Sequence, residues 1–168
     1  MRTLFENFNS NLIIRLLTEK NEPVYMSINS TCYLNEERYI VIVKSTKIRE
    51  LWKNEPNPLN QDLNLGDNKV WIKDKKYNYA SDGFSKGKIN PVPLAKIVCN
   101  KDKKSQTYIS FIDGTTRTMW LLVNGVKYFP IECQTKNEAL LLKEEAGYNN
   151  IDIYSTQTLL NYIINISE

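Results

Sequence analysis

The sequence predicts a mixed α+β fold in a single domain, on three observations. Runs rich in β-branched and aromatic residues alternate with stretches whose apolar residues fall at helical spacing. Helix boundaries are explicit in two places, a capping box at Thr135-Lys136-Asn137-Glu138 and a stop at Asn124-Gly125. The 168 residues, 42% of them hydrophobic, are enough for a real core; a chain of about 150 residues buries roughly 70% of its unfolded surface.

In chain order, Phe5, Phe8, Leu12, Leu16 and Leu17 predict an amphipathic first helix over residues 3–18. Residues 24–28 and 38–43 read as strands. Ser45 is placed to cap a short helix over 46–53, which ends before Glu55-Pro56-Asn57-Pro58. Residues 54–69, crowded with Asn, Pro, Asp and Gly, predict a long loop. Residues 71–90 are aromatic and basic, with turns expected at Asp82-Gly83 and Lys86-Gly87. A strand entered through prolines follows at 92–99, a charged turn at 101–105, and a strand at 108–112 that ends on Asp113-Gly114. Residues 116–123 then predict a helix and 127–133 a further strand. The capping box opens a helix carrying Ala139, Leu140, Leu142 and Ala146 as far as Gly147. A short strand at 151–154 leads to Ser155, which caps a last helix bearing Leu159, Leu160, Ile163 and Ile164.

Composition excludes several chemistries. There is no histidine, which removes Ser-His-Asp and Cys-His nucleophilic sites, histidine acid–base catalysis and ordinary zinc sites. Cys32, Cys99 and Cys133 are widely spaced; the last two lie in apolar strand-like runs and read as buried thiols of a reducing compartment. The N-terminus lacks a signal-peptide core and no apolar run approaches the roughly 20 residues of a membrane span, so a cytoplasmic protein without a membrane partner is expected. Net charge is only +3, but between Lys69 and Lys104 ten lysines face three acids, an excess of seven positive charges. Within it Lys73, Lys75, Lys76, Lys101, Lys103 and Lys104 form a candidate surface for nucleic acid or an acidic partner; the alternative is a solvated face.

Residues 113–117, Asp-Gly-Thr-Thr-Arg, are the candidate site. A helix start concentrates unpaired N–H groups and positive partial charge, and so prefers acids. Here its first turn carries Arg117 and no acid. A bound phosphate resolves the conflict: Gly114 lets the backbone approach, Thr115 and Thr116 offer hydroxyls, and Arg117 grips oxygens bidentately. The other reading is that Arg117 turns back to Asp113 or to another carboxylate. Nearby, Trp71, Tyr77, Tyr79 and Phe84 lie among lysines, either to stack bases or to pack a loop over the sheet. Met119, Trp120 and Leu121 read as core.

Three segments taken together resemble the core of the ParB/sulfiredoxin fold. They are Val92-Pro93-Leu94-Ala95-Lys96-Ile97, Ile109-Ser110-Phe111-Ile112-Asp113-Gly114-Thr115-Thr116-Arg117-Thr118, and Leu121-Leu122-Val123-Asn124-Gly125-Val126-Lys127-Tyr128-Phe129-Pro130-Ile131. Within that fold, Ala80-Ser81-Asp82-Gly83-Phe84-Ser85-Lys86-Gly87-Lys88-Ile89-Asn90-Pro91-Val92-Pro93-Leu94 and the segment from Asp113 to Leu122 resemble the plasmid fertility inhibition factor family. The likeness covers residues 75–147, and leaves 1–74 as an N-terminal α/β extension packed on that core within the one domain.

The resemblance implies that Gly114 and Arg117 contact phosphate, with ATP or CTP as candidate nucleotides, and that Asp82, Lys86 and Lys88 belong to a lid over that loop. The sulfiredoxin nucleophile and its neighbouring histidine would fall at Thr115 and Thr116, where both are absent, so sulfiredoxin chemistry is ruled out. Neither threonine replaces a carboxylate at a metal, which favours binding over turnover and leaves any nuclease or NTPase activity open. Two functions follow. One is a bacterial fertility-inhibition protein that blocks conjugative transfer through a secretion apparatus, with a component of that apparatus and DNA as its partners. The other is an immunity protein that binds and neutralises a toxin.

Overall fold

The computed structural model describes residues 4–9, 11–28, 36–159 and 161. The chain opens with strands β1 (Phe5–Phe8), β2 (Asn11–Leu17), β3 (Pro23–Ile28) and β4 (Tyr39–Lys44), followed by helix α1 (Ser45–Lys53). Two short helices, α2 (Gln61–Asn64) and α3 (Asn68–Ile72), precede α4 (Tyr77–Ser85) and a 3-10 turn at Gly87–Ile89. Then come β5 (Val92–Pro93), β6 (Ala95–Lys101), β7 (Thr107–Asp113), α5 (Thr115–Val123), β8 (Tyr128–Cys133), α6 (Lys136–Ala146) and β9 (Tyr154–Ser155). One sheet has the order β1-β2-β3-β5 and the other β7-β6-β8-β4-β9. The class is mixed α+β, with parallel β3–β5 and β6–β8 pairs among antiparallel neighbours.

The first helix is not there. Phe5–Phe8 and Asn11–Leu17 instead pair as the antiparallel β1–β2 hairpin, Phe5 opposite Ile14, with Asn9 at φ +49° after β1. Leu12, Ile13, Ile14 and Leu16 are all 1% exposed or less, so β2 is buried on both faces. A strand covered on both sides has no need of alternation, and its apolar run imitates helical spacing.

Other differences are local. Ser45 lies inside α1 instead of capping it; Lys44 holds the N-cap position and the Ser45 hydroxyl donates to the Val126 carbonyl. The polar residues of the expected 54–69 loop include caps: Asn60 accepts from the Leu63 N–H at 3.1 Å, and Asp67 from those of Lys69 and Val70. Asp82-Gly83 is not a turn but lies within α4, because burial of Tyr77, Ala80 and Phe84 on one face outweighs the weak helix preference of glycine. Lys86-Gly87 does turn, with Gly87 at φ +62°. The expected 92–99 strand breaks at Leu94, where the chain leaves the four-stranded sheet for the five-stranded one. Of the expected strand at 151–154 only Tyr154 pairs, with β4, and the pairing extends to Ser155 beyond it.

The remaining signals hold. Thr135 and Glu138 close the capping box, Gly125 at φ +66° ends α5, and Ser155 accepts from the Thr158 N–H at 3.3 Å. Ala139, Leu142 and Ala146 face the core while Leu140 is half exposed. Leu159 is buried; Leu160, Ile163, Ile164 and Cys32 lie outside the described residues. One apolar cluster runs through both sheets and the faces of α1, α4, α5 and α6. Burial on this scale, at about 25 cal/mol per Å² of apolar surface, is the main force holding the sheets together.

Candidate functional site

The site begins where β7 ends. Gly114 adopts φ +88°, a left-handed conformation that costs residues with a β-carbon, and it forms the N-cap of α5. Its carbonyl accepts the Thr118 N–H and hydroxyl at 3.0 and 3.1 Å. This turn aims the first N–H groups of α5 out of the sheet, with no acid in the first turn.

Arg117 answers the question its position raised. One guanidinium nitrogen, Nη2, donates to Asp113 Oδ2 at 2.8 Å and to the Leu94 carbonyl at 3.2 Å, so the arginine turns back to the carboxylate and pins the sheet-to-sheet crossover at Leu94. Its Nε is buried without a hydrogen-bond partner. Burial raises the Asp113 carboxyl, but the Arg117 guanidinium, the Gly114 amide and Lys96 outweigh it and hold the group below the usual carboxylate range.

Two clefts meet at this helix start. The first, about 330 Å³, lies between α4 and α5 and is lined by Lys76, Tyr79, Ala80, Pro93, Thr116 and Arg117 among others. The second, about 320 Å³, has Trp52, Asp74, Lys76, Phe111, Thr115 and Thr116 on its walls. Lys76 and Thr116 stand on the wall between them. Of the proposed phosphate contacts, Thr116 and Arg117 thus reach the first cleft, Thr115 the second, and Gly114 shapes the backbone beneath.

The other expected residues are dispersed. Lys73, Lys75 and Lys76 are exposed around the start of α4, whereas Lys101 ends β6 and Lys103 and Lys104 sit on the turn from it to β7. Seven residues of β7 separate that turn from Gly114, about 23 Å at 3.3 Å per residue. The lysine run therefore makes two patches. Asp82 and Lys86 are exposed and do not line the first cleft; Lys88 turns away, its Nζ 3.4 Å from Glu6 and 4.7 Å over the Phe8 ring.

Packing accounts for most of the aromatic residues. Trp71 is fully buried, stacked on Trp52 at 5.8 Å, and its indole N–H donates to the Leu63 carbonyl at 2.8 Å. Phe84 stacks on Trp120 at 4.3 Å, and Tyr77 is buried. Tyr79 alone of the four is exposed, at the mouth of the first cleft. Met119, Trp120 and Leu121 are core, and Cys99 and Cys133 are buried thiols.

One charged group escaped the sequence reading. Glu132 on β8 is 2% exposed, with Arg38 and Lys96 each 3.9 Å away and Lys96 in register beside it on β6. An acid inside the apolar strand Tyr128–Cys133 was the available signal. Lys96 in turn pairs in register with Asp113, so one row of charges crosses the sheet to the candidate site.

A β–β–α–β unit with a left-handed glycine ahead of an arginine-bearing helix defines a class, and comparison with known sequences gives it a name. The chain belongs to the plasmid fertility inhibition factor family, whose model matches residues 40–147. It is similar to Protein osa of Shigella flexneri, 28% identical over 148 residues that cover 81% of this chain and 69% of the relative. The crystal structure of the Oncogenic Suppression Activity Protein, a plasmid fertility inhibition factor, as its gold(I) cyanide derivative, has the same fold. It superposes with a TM-score of 0.76 at 24% identity, over 99% of this chain and 84% of that one. Among the described residues no helix is long and apolar enough to cross a membrane.

Proposed function

We propose that this protein inhibits conjugative plasmid transfer by binding the phosphate of a nucleotide or of DNA in the α4–α5 cleft, on a unit of the ParB/sulfiredoxin type. Family membership supports the first half and favours it over toxin neutralisation. The observation that carries the second half is the convergence of Lys76, Thr116 and Arg117 on one cleft at a helix start that has no acid. Antiparallel β6 and β7, the left-handed Gly114, and β8 returning parallel to β6 support the fold comparison. Exposed Tyr79 and the apolar wall of Ala80, Val92 and Pro93 suit a nucleobase beside the cationic end.

In this reading the ligand displaces Asp113 from Arg117. The guanidinium then turns its donors to the phosphate, and helix N–H groups add to it. Thr115 and Thr116 supply hydroxyls but no base, so the site holds its ligand without consuming it. The protein acts inside the bacterial cell on a component of the transfer apparatus, with the nucleotide or DNA bound.

Titration with ATP and CTP, followed by the fluorescence of Trp120 behind Phe84, tests the site. The wild type should bind and Arg117→Ala should lose most of the affinity. Absence of a saturable signal in the wild type at millimolar nucleotide, together with no salt-sensitive DNA binding, would sink the proposal.

A further inference from the structure

The other end of α5 carries a second charged cavity that the phosphate-binding reading does not use. It measures about 390 Å³ and is lined by Lys44 and Thr46 at the start of α1, by Arg49 one turn on, and by Leu122, Val126 and Lys127 where α5 passes to β8. We propose that it is the docking site for an acidic peptide segment of a partner protein.

The argument rests on charge without counter-charge. Three cations from two separate parts of the chain converge on one concavity whose lining contains no carboxylate. Elsewhere on the described surface Lys47 pairs with Glu50, Lys88 with Glu6 and Lys143 with Asp152. Lys44, Arg49 and Lys127 take part in none of the ion pairs among the described residues. Two acids come near and leave the balance positive. Asp67 feels the charge of Arg49 without pairing with it, and Glu19 approaches Gly125 from the adjoining cavity without pairing with Lys127. Like charges held together repel, so the arrangement is more favourable with an anion among them.

A purely structural use for these cations would be to neutralise the C-terminal carbonyls of α5. Three of those carbonyls already accept: Asn124 donates to Leu122 and Trp120, Gly125 to Leu122, and Val126 to Leu121. Arg49 does have a packing role, since its guanidinium lies 4.8 Å over the Trp71 ring, which leaves its edge free for a carboxylate.

The apolar floor selects the occupant. Leu122, half-buried, and Val126, buried, share the lining with the cations. A carboxylate beside an aliphatic side chain satisfies both, whereas a nucleic-acid backbone would leave the apolar floor uncovered. Such a site steers its partner by charge and fixes register by the pocket. It is independent of the Arg117 cleft, which lies at the opposite end of a nine-residue helix, about 13 Å at 1.5 Å per residue.

The test uses the full chain and a short fluorescein-labelled peptide repeating Glu-Glu-Leu, with labelled single-stranded DNA in parallel, read by anisotropy. The triple variant Lys44→Gln, Arg49→Gln, Lys127→Gln is set against a charge-matched control at exposed positions away from both cavities, Arg15→Gln, Lys53→Gln, Lys136→Gln, after both show native circular dichroism. Because Arg49 packs on Trp71, the double variant Lys44→Gln, Lys127→Gln is measured as well. The peptide Kd should rise by about tenfold or more in the triple variant and severalfold in the double, and stay within about twofold in the control. No saturable peptide binding by the wild type, equal weakening in control and cavity variants, or a cavity preference for DNA over peptide would each overturn the proposal.

Discussion

A β-carbon placed on Gly114 would stand 2.7 Å from both Cα and Cβ of Ala95, the first residue of β6. The α5 start and the strand beside it approach that closely only because residue 114 has no side chain. Its φ of +88° makes the same demand. Gly114→Ala combines left-handed strain of about 1–3 kcal/mol with a backbone clash. The expected loss is about 2–4 kcal/mol in urea unfolding, with weakened anion binding in the fraction that stays folded. Gly87→Ala is the control, since it shares a positive φ but meets nothing within 4 Å; it should lose about 1 kcal/mol.

Asp113 and Arg117 make opposite predictions for stability and for binding. Asp113 is depressed in the folded protein, so its contribution is full above its unfolded value near 3.8 and is lost as pH falls through the lower folded value. The pair is 60% and 21% exposed, which keeps that contribution below about 1 kcal/mol. Wild type and Asp113→Asn should therefore differ by a constant small amount from neutral pH to about pH 5, and the gap should close below about pH 4. A gap unchanged into strong acid would show that the carboxylate charge is not its source. For the ligand the sign reverses. Asp113→Asn removes a competitor for Arg117 and should tighten ATP or CTP binding severalfold by calorimetry, whereas Arg117→Ala weakens it.

What could be read in the sequence was whatever a few neighbouring residues decide. The Thr135–Glu138 capping box, the Asn124-Gly125 stop and the Asp113-Gly114 turn each satisfy their own backbone groups, and each appears where expected. The β1–β2 hairpin was illegible because its outcome depends on what covers Leu12, Ile13 and Ile14 from both sides, which only the folded chain supplies. Helix α4 was hidden for a related reason: Gly83 argues locally for a turn, and burial of Phe84 against Trp120 overrides it. The candidate site was half visible. Arg117 announced itself by standing at a helix start, but Lys76 and Tyr79 join it across about forty residues of sequence, a juxtaposition made by packing of α4 on α5.

Trp71 shows the cost of mistaking a core aromatic for a binding one. Fully buried, stacked on Trp52 and donating to Leu63, it holds the α2–α3 segment down on α1. Trp71→Ala should cost about 3–5 kcal/mol, the usual loss for a large aromatic in a core. Trp71→Phe keeps an aromatic ring but removes the indole donor; the Leu63 carbonyl still accepts the Gly66 N–H at 3.2 Å, so the loss should be only about 0.5–1.5 kcal/mol beyond the smaller ring. Tyr79→Ala, at the exposed position, should leave the melting temperature nearly unchanged while weakening nucleotide binding. Thermal unfolding beside nucleotide titration separates the two, and equal destabilisation by Trp71→Ala and Tyr79→Ala would contradict the assignment.

The two buried thiols provide a clock for unfolding. Burial first, then the charges of Glu138 and Glu145, pushes Cys99 up to about 12; burial above all raises Cys133 as well, with Cys99, Glu138 and Glu132 adding to it. Only a thiolate attacks a disulfide reagent, and an ordinary cysteine ionises near about 8.5. At pH 8 Cys99 would then be ionised in about one molecule in 10,000, and no reagent reaches a side chain that is about 2% exposed. In a Cys32→Ser background the folded protein should therefore label only through unfolding. The rate should become independent of reagent concentration and should rise in parallel in the Gly114→Ala and Trp71→Ala variants, while the unfolded chain reacts at once at both sites. A fast, reagent-dependent phase in the native protein would mean that the face of the sheet carrying Cys99 and Cys133 opens without global unfolding, and the single continuous core described above would not hold.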